Sequence, residues 1–265
     1  MLKAVALLPL LVLTACGAVL PSDSRSDLAR TWDGATLVLP PLGGTPIQLA
    51  RMDQSAFGDP ASARGAARRL PTVIYLHGCT GLGDLDFLKR LAAAGFAVIA
   101  PDSFARRYRP LQCDPKSKTG GHNLFVYEFR LAEIAFAVQR AVELAWVDRR
   151  NLFLIGSSEG GVAAALYRGD EFNARVIAQW TCNGAPIVRG IAAPPGEPIL
   201  AIVHRDDPWY AANRTRGQGG DCGNFMGRQP TSRSIVLTGE GGHDVFKDPS
   251  NVATILAFLA RHRRS

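Results

Sequence analysis

Several things are missing from this chain of 265 residues. There is no internal repeat and no low-complexity run, which argues against repeat arrays and against a composition that would stay disordered. The five cysteines show no zinc spacing, so no metal site is expected. The leading apolar run, Ala4 to Leu13, is too short to span a bilayer. Acidic residues are outnumbered, 23 Asp+Glu against 30 Lys+Arg. The basic residues nonetheless gather at Arg64 to Arg69, Arg106 to Arg109 and Arg261 to Arg264, without aromatic platforms or a recognition helix. A nucleic-acid partner is therefore not expected, and a solvated basic surface that can rest near anionic headgroups is.

What is present suits one compact domain. With 47% hydrophobic residues the chain can bury a sizeable core. Ala35 to Pro40 and Pro46 to Met52 read as short antiparallel edge strands, and Gln54 to Arg69 as a surface loop. Strands and helices then alternate. Thr72 to Leu76 and Phe96 to Ala100 read as strands, Asp84 to Ala94 and Leu124 to Ala145 as helices, and a last helix is expected near Asn251 to Arg261. Such alternation predicts an α/β fold with a mainly parallel sheet covered by helices on both faces.

The most informative stretch is Gly156-Ser157-Ser158-Glu159-Gly160-Gly161. An apolar strand, Asn151 to Ile155, precedes it, and Val162 to Tyr167 reads as a helix. A G-x-S-x-G pentapeptide between strand and helix forces its serine onto a tight turn with the hydroxyl exposed. The glycines stand where a Cβ would collide with the neighbouring strand or helix. A serine hydroxyl needs a base. Two strand-like runs end in candidates: Pro198 to Val203 leads into His204-Arg205-Asp206-Asp207-Pro208, and Ser234 to Leu237 leads into Gly241-Gly242-His243-Asp244. Ser158, Asp207 and His243 thus follow in the order serine, acid, histidine.

From Leu70 to the C-terminus the chain resembles the α/β-hydrolases, and within them the dienelactone hydrolases and their esterase relatives. The resemblance is carried by Leu76-His77-Gly78-Cys79-Thr80-Gly81, Pro101-Asp102-Ser103-Phe104-Ala105-Arg106, the serine turn, Asp207-Pro208 and Gly242-His243-Asp244. It implies an α/β-hydrolase fold, Ser158 as nucleophile, His243 as general base, Asp207 as the residue that orients the imidazole, and the backbone N–H groups of Cys79 and Glu159 as the oxyanion hole. It also implies that Arg106 could hold a substrate carboxylate; the alternative is one more side chain in a solvated basic run. The chain departs from the family in having Ser158 where dienelactone hydrolases carry a cysteine, and His204 where a glycine is usual. The reaction implied is cleavage of a small ester or lactone through an acyl-enzyme, with no cofactor. A peptidase or acyltransferase on the same site, or a non-catalytic envelope binding protein with the same fold, remains open.

Other residues carry plainer expectations. Asp206 competes with Asp207 for the acid role. His77 is expected to brace the oxyanion loop and His204 to be a satisfied polar group at a strand end. His122 and His262 are expected at the surface. Trp209 to Pro230, the expected lid or pocket wall, has no readable pattern.

The N-terminus has Lys3, the apolar run and then Leu13-Thr14-Ala15-Cys16, which resembles the bacterial lipobox. The resemblance implies a signal peptide of residues 1–15, lipidation of Cys16, a tether over 16–34 and a hydrolase domain over 35–265. The mature protein would then sit lipid-anchored in a bacterial envelope, at the outer membrane facing the periplasm. An ordinary secretory signal is the alternative. Either way the chain is exported, and Cys79, Cys113, Cys182 and Cys222 form an even set in an oxidising compartment. Cys79 and Cys113 follow consecutive strands, as do Cys182 and Cys222, which favours those two pairs; a free Cys79 beside the oxyanion hole is the alternative.

Overall fold

The computed structural model describes residues 25–58, 69–185, 188–211, 219–227, 229–239 and 241–265. The signal peptide of residues 1–15 and Cys16 lie outside the described residues, as does part of the expected pocket wall.

The strands are β1 (Thr36–Leu39), β2 (Gln48–Arg51), β3 (Leu70–Leu76), β4 (Ala97–Ala100), β5 (Cys113–Asp114), β6 (Thr119–Gly120), β7 (Val147–Ser157), β8 (Ala174–Ala178), β9 (Ile199–His204) and β10 (Arg233–Leu237). The helices are α1 (Asp27–Asp33), α2 (Leu85–Ala93), α3 (Phe125–Ala141), α4 (Glu159–Leu166), α5 (Pro208–Ala211) and α6 (Pro249–Arg261). Eight strands form one sheet in the order β10-β9-β8-β7-β3-β4-β1-β2. From β10 to β4 every pair is parallel, while β1 runs antiparallel to both β4 and β2. The expected antiparallel edge is therefore present, two residues shorter than predicted at β1 and three at β2. β5 and β6 make a separate two-residue hairpin.

The central strands are buried on both faces, which is why they read as unbroken apolar runs rather than alternating ones. Along β3, Ile74 and Leu76 join one core with α1, α3 and α4, whereas Val73 and Tyr75 join a second core with α2 and α6. This is the period-two alternation of a strand sandwiched between helical layers. Helix α1 falls inside the stretch 16–34 read as tether. Ser26 caps it by accepting from the Ala29 N–H, and Trp32 is buried in the first core; packing against the domain thus begins before residue 35.

Two elements at the site start earlier than their sequence suggests, and one strand hides a buried charge. β7 starts at Val147 rather than Asn151, because its polar opening residues 148–150 lie at the sheet's end, partly or fully exposed. Helix α4 begins at Glu159, directly after Ser158, rather than at Val162. β8 carries a fully buried Arg175. The Arg175 guanidinium pairs with Glu197 through two bonds of 2.6 Å and donates to the Ala164 and Tyr167 carbonyls at the end of α4. A buried charge survives only when paired and hydrogen-bonded in this way. Here it also supplies the cation that a helix C-terminus favours.

Both expected disulfides are formed, Cys79–Cys113 and Cys182–Cys222, closing loops of 34 and 40 residues in separation. Each is worth about 4 kcal/mol by loss of unfolded-chain entropy. Reduction of both should lower the melting temperature by about 20 °C, since one kcal/mol moves a chain of this size by roughly 2–4 °C. Calorimetry with and without reductant checks this, with free thiols confirmed by mass; an unchanged transition after full reduction would contradict it.

Candidate active site

Ser158 ends a strand and begins a helix in one residue. Its φ of 54° and ψ of −113° lie outside the regions that L-residues favour. Its N–H is held by the Ala178 carbonyl at 2.9 Å, and its own carbonyl accepts from Val162 N–H, 3.1 Å away, at the first turn of α4. The turn closes this tightly because three glycines flank it. A Cβ on Gly156 would stand 2.0 Å from the Gly160 carbonyl oxygen, one on Gly160 2.1 Å from the Leu76 oxygen, and one on Gly161 2.6 Å from the Ala178 oxygen.

The acid and the histidine meet as the sequence order implied. Asp207, buried after β9, accepts from His243 Nδ1 at 2.7 Å through one carboxylate oxygen and from the Trp209 N–H at 2.9 Å through the other. With a carboxylate on Nδ1, that nitrogen carries the proton and Nε2 is left as the basic atom. Asp206 is exposed, so Asp207 is the acid placed against His243. The His243 ring packs against Trp209 and Tyr210, with centroids 5.4 and 6.3 Å away. The same two aromatics line a cavity of about 180 Å³ together with Ser158, Cys79 and Glu159. The Tyr210 hydroxyl donates to the Gln179 carbonyl at 3.0 Å and lies within hydrogen-bonding reach of Ser158.

The two expected oxyanion-hole residues border this cavity. Glu159 is the first residue of α4, where a backbone N–H has no partner inside the helix. Cys79 follows Gly78, whose added Cβ would touch the Ser158 Cβ at 3.4 Å, so the loop passes directly over the serine. The Cys79–Cys113 bond then fastens that loop to the β5–β6 hairpin, which supplies Cys113, Thr119 and Gly120 to the cavity wall.

Behind the loop lies a buried polar cluster. His77 Nε2 accepts from the Ser103 N–H at 3.1 Å, so Nδ1 is the protonated nitrogen that donates to the Gly78 carbonyl at 2.7 Å. Burial, with the nearby Arg130 charge, holds the His77 pKa well below the ordinary histidine value. His77 thus braces the loop ahead of Cys79 as a neutral imidazole. Arg130 donates to the His77 carbonyl at 2.8 Å and pairs with Glu133 at 3.0 Å. Arg109 pairs with Glu159 at 2.5 Å, so the Glu159 side chain is anchored.

Two expectations are corrected. Arg106 neither lines the cavity nor belongs to a solvated run. Its side chain is 6% exposed, bonds Glu133 at 2.7 Å and the Phe129 carbonyl at 3.2 Å, and lies over the Phe129 ring. The buried Glu133 carboxylate claims the guanidinium that a substrate carboxylate would need. His204 is not a satisfied polar group either: its Nδ1 is buried without a hydrogen-bond partner among the described residues. Its ring occupies the space beside Gly241, where an added Cβ would come within 2.0 Å of Cε1. His122 is exposed and His262 half-buried against Phe258.

Sequence reading missed Tyr127, Gln112 and the Arg109–Glu159 pair at this site. Their partners lie from 11 to 50 residues away, and no local pattern marks them. Of the expected wall, Trp209 and Tyr210 do line the cavity, and Cys222–Phe225 forms a turn bonded through Cys222 to Cys182.

No family model and no curated protein matches this chain. Solved structures do. A Klebsiella pneumoniae protein provisionally named a dienelactone hydrolase superposes with a TM-score of 0.55 at 19% identity, over 74% of this chain and 89% of its own. An esterase from the hyperthermophilic archaeon Pyrobaculum calidifontis does so with a TM-score of 0.50 at 15% identity, over 89% of this chain and 88% of its own. With the strand order, the strand–turn–helix at Ser158 and the loops carrying Asp207 and His243, these likenesses establish that the chain has the α/β-hydrolase fold.

Proposed function

We propose that this protein is a serine hydrolase that cleaves a carboxylic ester or lactone through an acyl-enzyme. The observation that carries the reading is the buried Asp207 carboxylate fixing His243 beside the aromatic wall of the cavity that Ser158 lines. Ser158 Oγ attacks the ester carbonyl carbon as its proton passes to His243 Nε2, and Asp207 stabilises the imidazolium. The tetrahedral oxyanion accepts from the Cys79 and Glu159 N–H groups. The carbon–oxygen bond to the leaving alcohol then breaks and His243 returns the proton to it. Water, deprotonated by the same histidine, releases the acid and restores Ser158.

The cavity volume of about 180 Å³ is below the 300–1,000 Å³ or so usual for drug-sized ligands. Short acyl groups are therefore favoured. A panel of esters of graded acyl length checks this: kcat/KM should peak at short chains, and a rise through long chains would contradict it.

We further propose that the exported chain is tethered by a lipid on Cys16, at the outer membrane facing the periplasm. The support is the Leu13-Thr14-Ala15-Cys16 sequence. Cys16→Ser should move the protein out of the membrane fraction, because one thiol carries the anchor; unchanged fractionation and unchanged migration would leave only a plain secretory signal.

A further inference from the structure

We infer that the Tyr127 hydroxyl is a substrate-recognising donor, and that the preferred substrate is a small uncharged ester with a second acceptor oxygen: hydroxyl, alkoxy or keto. This rests on the serine-hydrolase reading and adds the substrate class.

The inference follows from which polar groups in the cavity wall are already engaged. The Glu159 carboxylate is tied to Arg109. The Tyr210 hydroxyl proton goes to the Gln179 carbonyl. Thr119 Oγ1 meets Ser117 and His122 side chains at 2.9 and 3.2 Å. The Gln112 carbonyl oxygen accepts the Asn123 N–H at 2.8 Å. The Tyr127 hydroxyl has no acceptor in hydrogen-bond geometry among the described residues, and its ring lines the same cavity from α3. Burial and the nearby Glu159 charge push its pKa up, which keeps the proton on. With its proton uncommitted, the hydroxyl can donate to an oxygen placed in the cavity that its ring lines, which a CH₂ at the same place cannot accept.

Gln112 sets the direction of that donor. With its carbonyl oxygen held by Asn123, its amide nitrogen is fixed beside the Tyr127 hydroxyl; that nitrogen is buried and lacks a partner of normal geometry. An amide nitrogen can only donate, so it offers the phenolic proton no acceptor and leaves that proton for the ligand. The ligand is uncharged because, among the described lining residues, Glu159 alone carries charge and Arg109 already pairs with it, which leaves no free cation there to hold a carboxylate.

Isosteric esters test this. The acyl pair is 4-nitrophenyl methoxyacetate and butyrate, and the alcohol pair is 2-methoxyethyl and butyl acetate; each pair exchanges one CH₂ for oxygen. The ratio of kcat/KM within a pair, compared between wild type and Tyr127→Phe, cancels intrinsic reactivity. In at least one pair the oxygen-favouring ratio should fall about tenfold in Tyr127→Phe, as for one lost hydrogen bond. Gln112→Met should lower the same ratio in wild type and leave it unchanged in the Tyr127→Phe background, because a positioning residue has nothing left to position. Unchanged ratios in both pairs overturn the inference while leaving the hydrolase reading intact. If wild type turns over no ester, or turnover survives Ser158→Ala, both fall. Should Tyr127→Phe fail to fold, the wild-type ratio against hydroxide hydrolysis of the same esters decides: a larger enzymatic ratio supports the role and an equal one overturns it.

Discussion

Ser158→Ala is expected to lower ester turnover by about 10⁶-fold, the loss seen where a nucleophile and its base act as a unit, while the melting temperature stays within a few degrees of wild type. The two halves of that expectation have separate causes. The hydroxyl forms the acyl bond, so no neighbouring group can replace it. The fold at this point depends instead on the backbone: the Ser158 N–H to Ala178, the Ser158 carbonyl to Val162, and the glycines around them. Alanine keeps all of these and still carries the Cβ that serine already places beside Gly78. Turnover of purified protein together with a thermal melt checks both halves. A residual rate within a hundredfold of wild type would mean that another residue attacks the ester.

Gly160→Ala should do the reverse, with the fold as the casualty. Its Cβ would stand 2.1 Å from the Leu76 carbonyl oxygen and 2.6 Å from the carbonyl carbon, so no side chain can swing aside to admit it. Either β3 or α4 must move, and these elements carry Ser158 and the oxyanion loop. A loss of about 4 kcal/mol or more is expected, among the larger single-site effects, which lowers the melting temperature by roughly 10 °C or more. Thermal or denaturant unfolding reads it directly. A variant as stable as wild type would show that β3 and α4 do not approach as closely as described.

The parts that sequence made legible were those governed by short-range sterics and burial. The serine turn announced itself because glycine is required wherever strand and helix backbones approach this closely, and the central strands because burial on both faces demands unbroken apolar runs. Asp207 and His243 were legible from their places after successive strands. What stayed hidden were charges satisfied at long range. Arg175 disguised β8, since its partners are the carbonyls at the end of α4 and Glu197 in the loop before β9. Arg106 and Arg109 sit in a basic run that looks solvated, yet Glu133 and Glu159, 27 and 50 residues away, bury them. The β5–β6 hairpin has only two residues per strand and is held by the Cys79–Cys113 bond, so it left no periodicity to read.

The central claim is that Ser158 is the nucleophile, and its most direct test is to treat the purified protein with a fluorophosphonate and locate the adduct by peptide mass. The expected result is one phosphonylated residue, Ser158, with labelling strongly slowed in His243→Ala because the hydroxyl then lacks its base. Absence of labelling in folded protein, or an adduct on any other residue, would contradict the account.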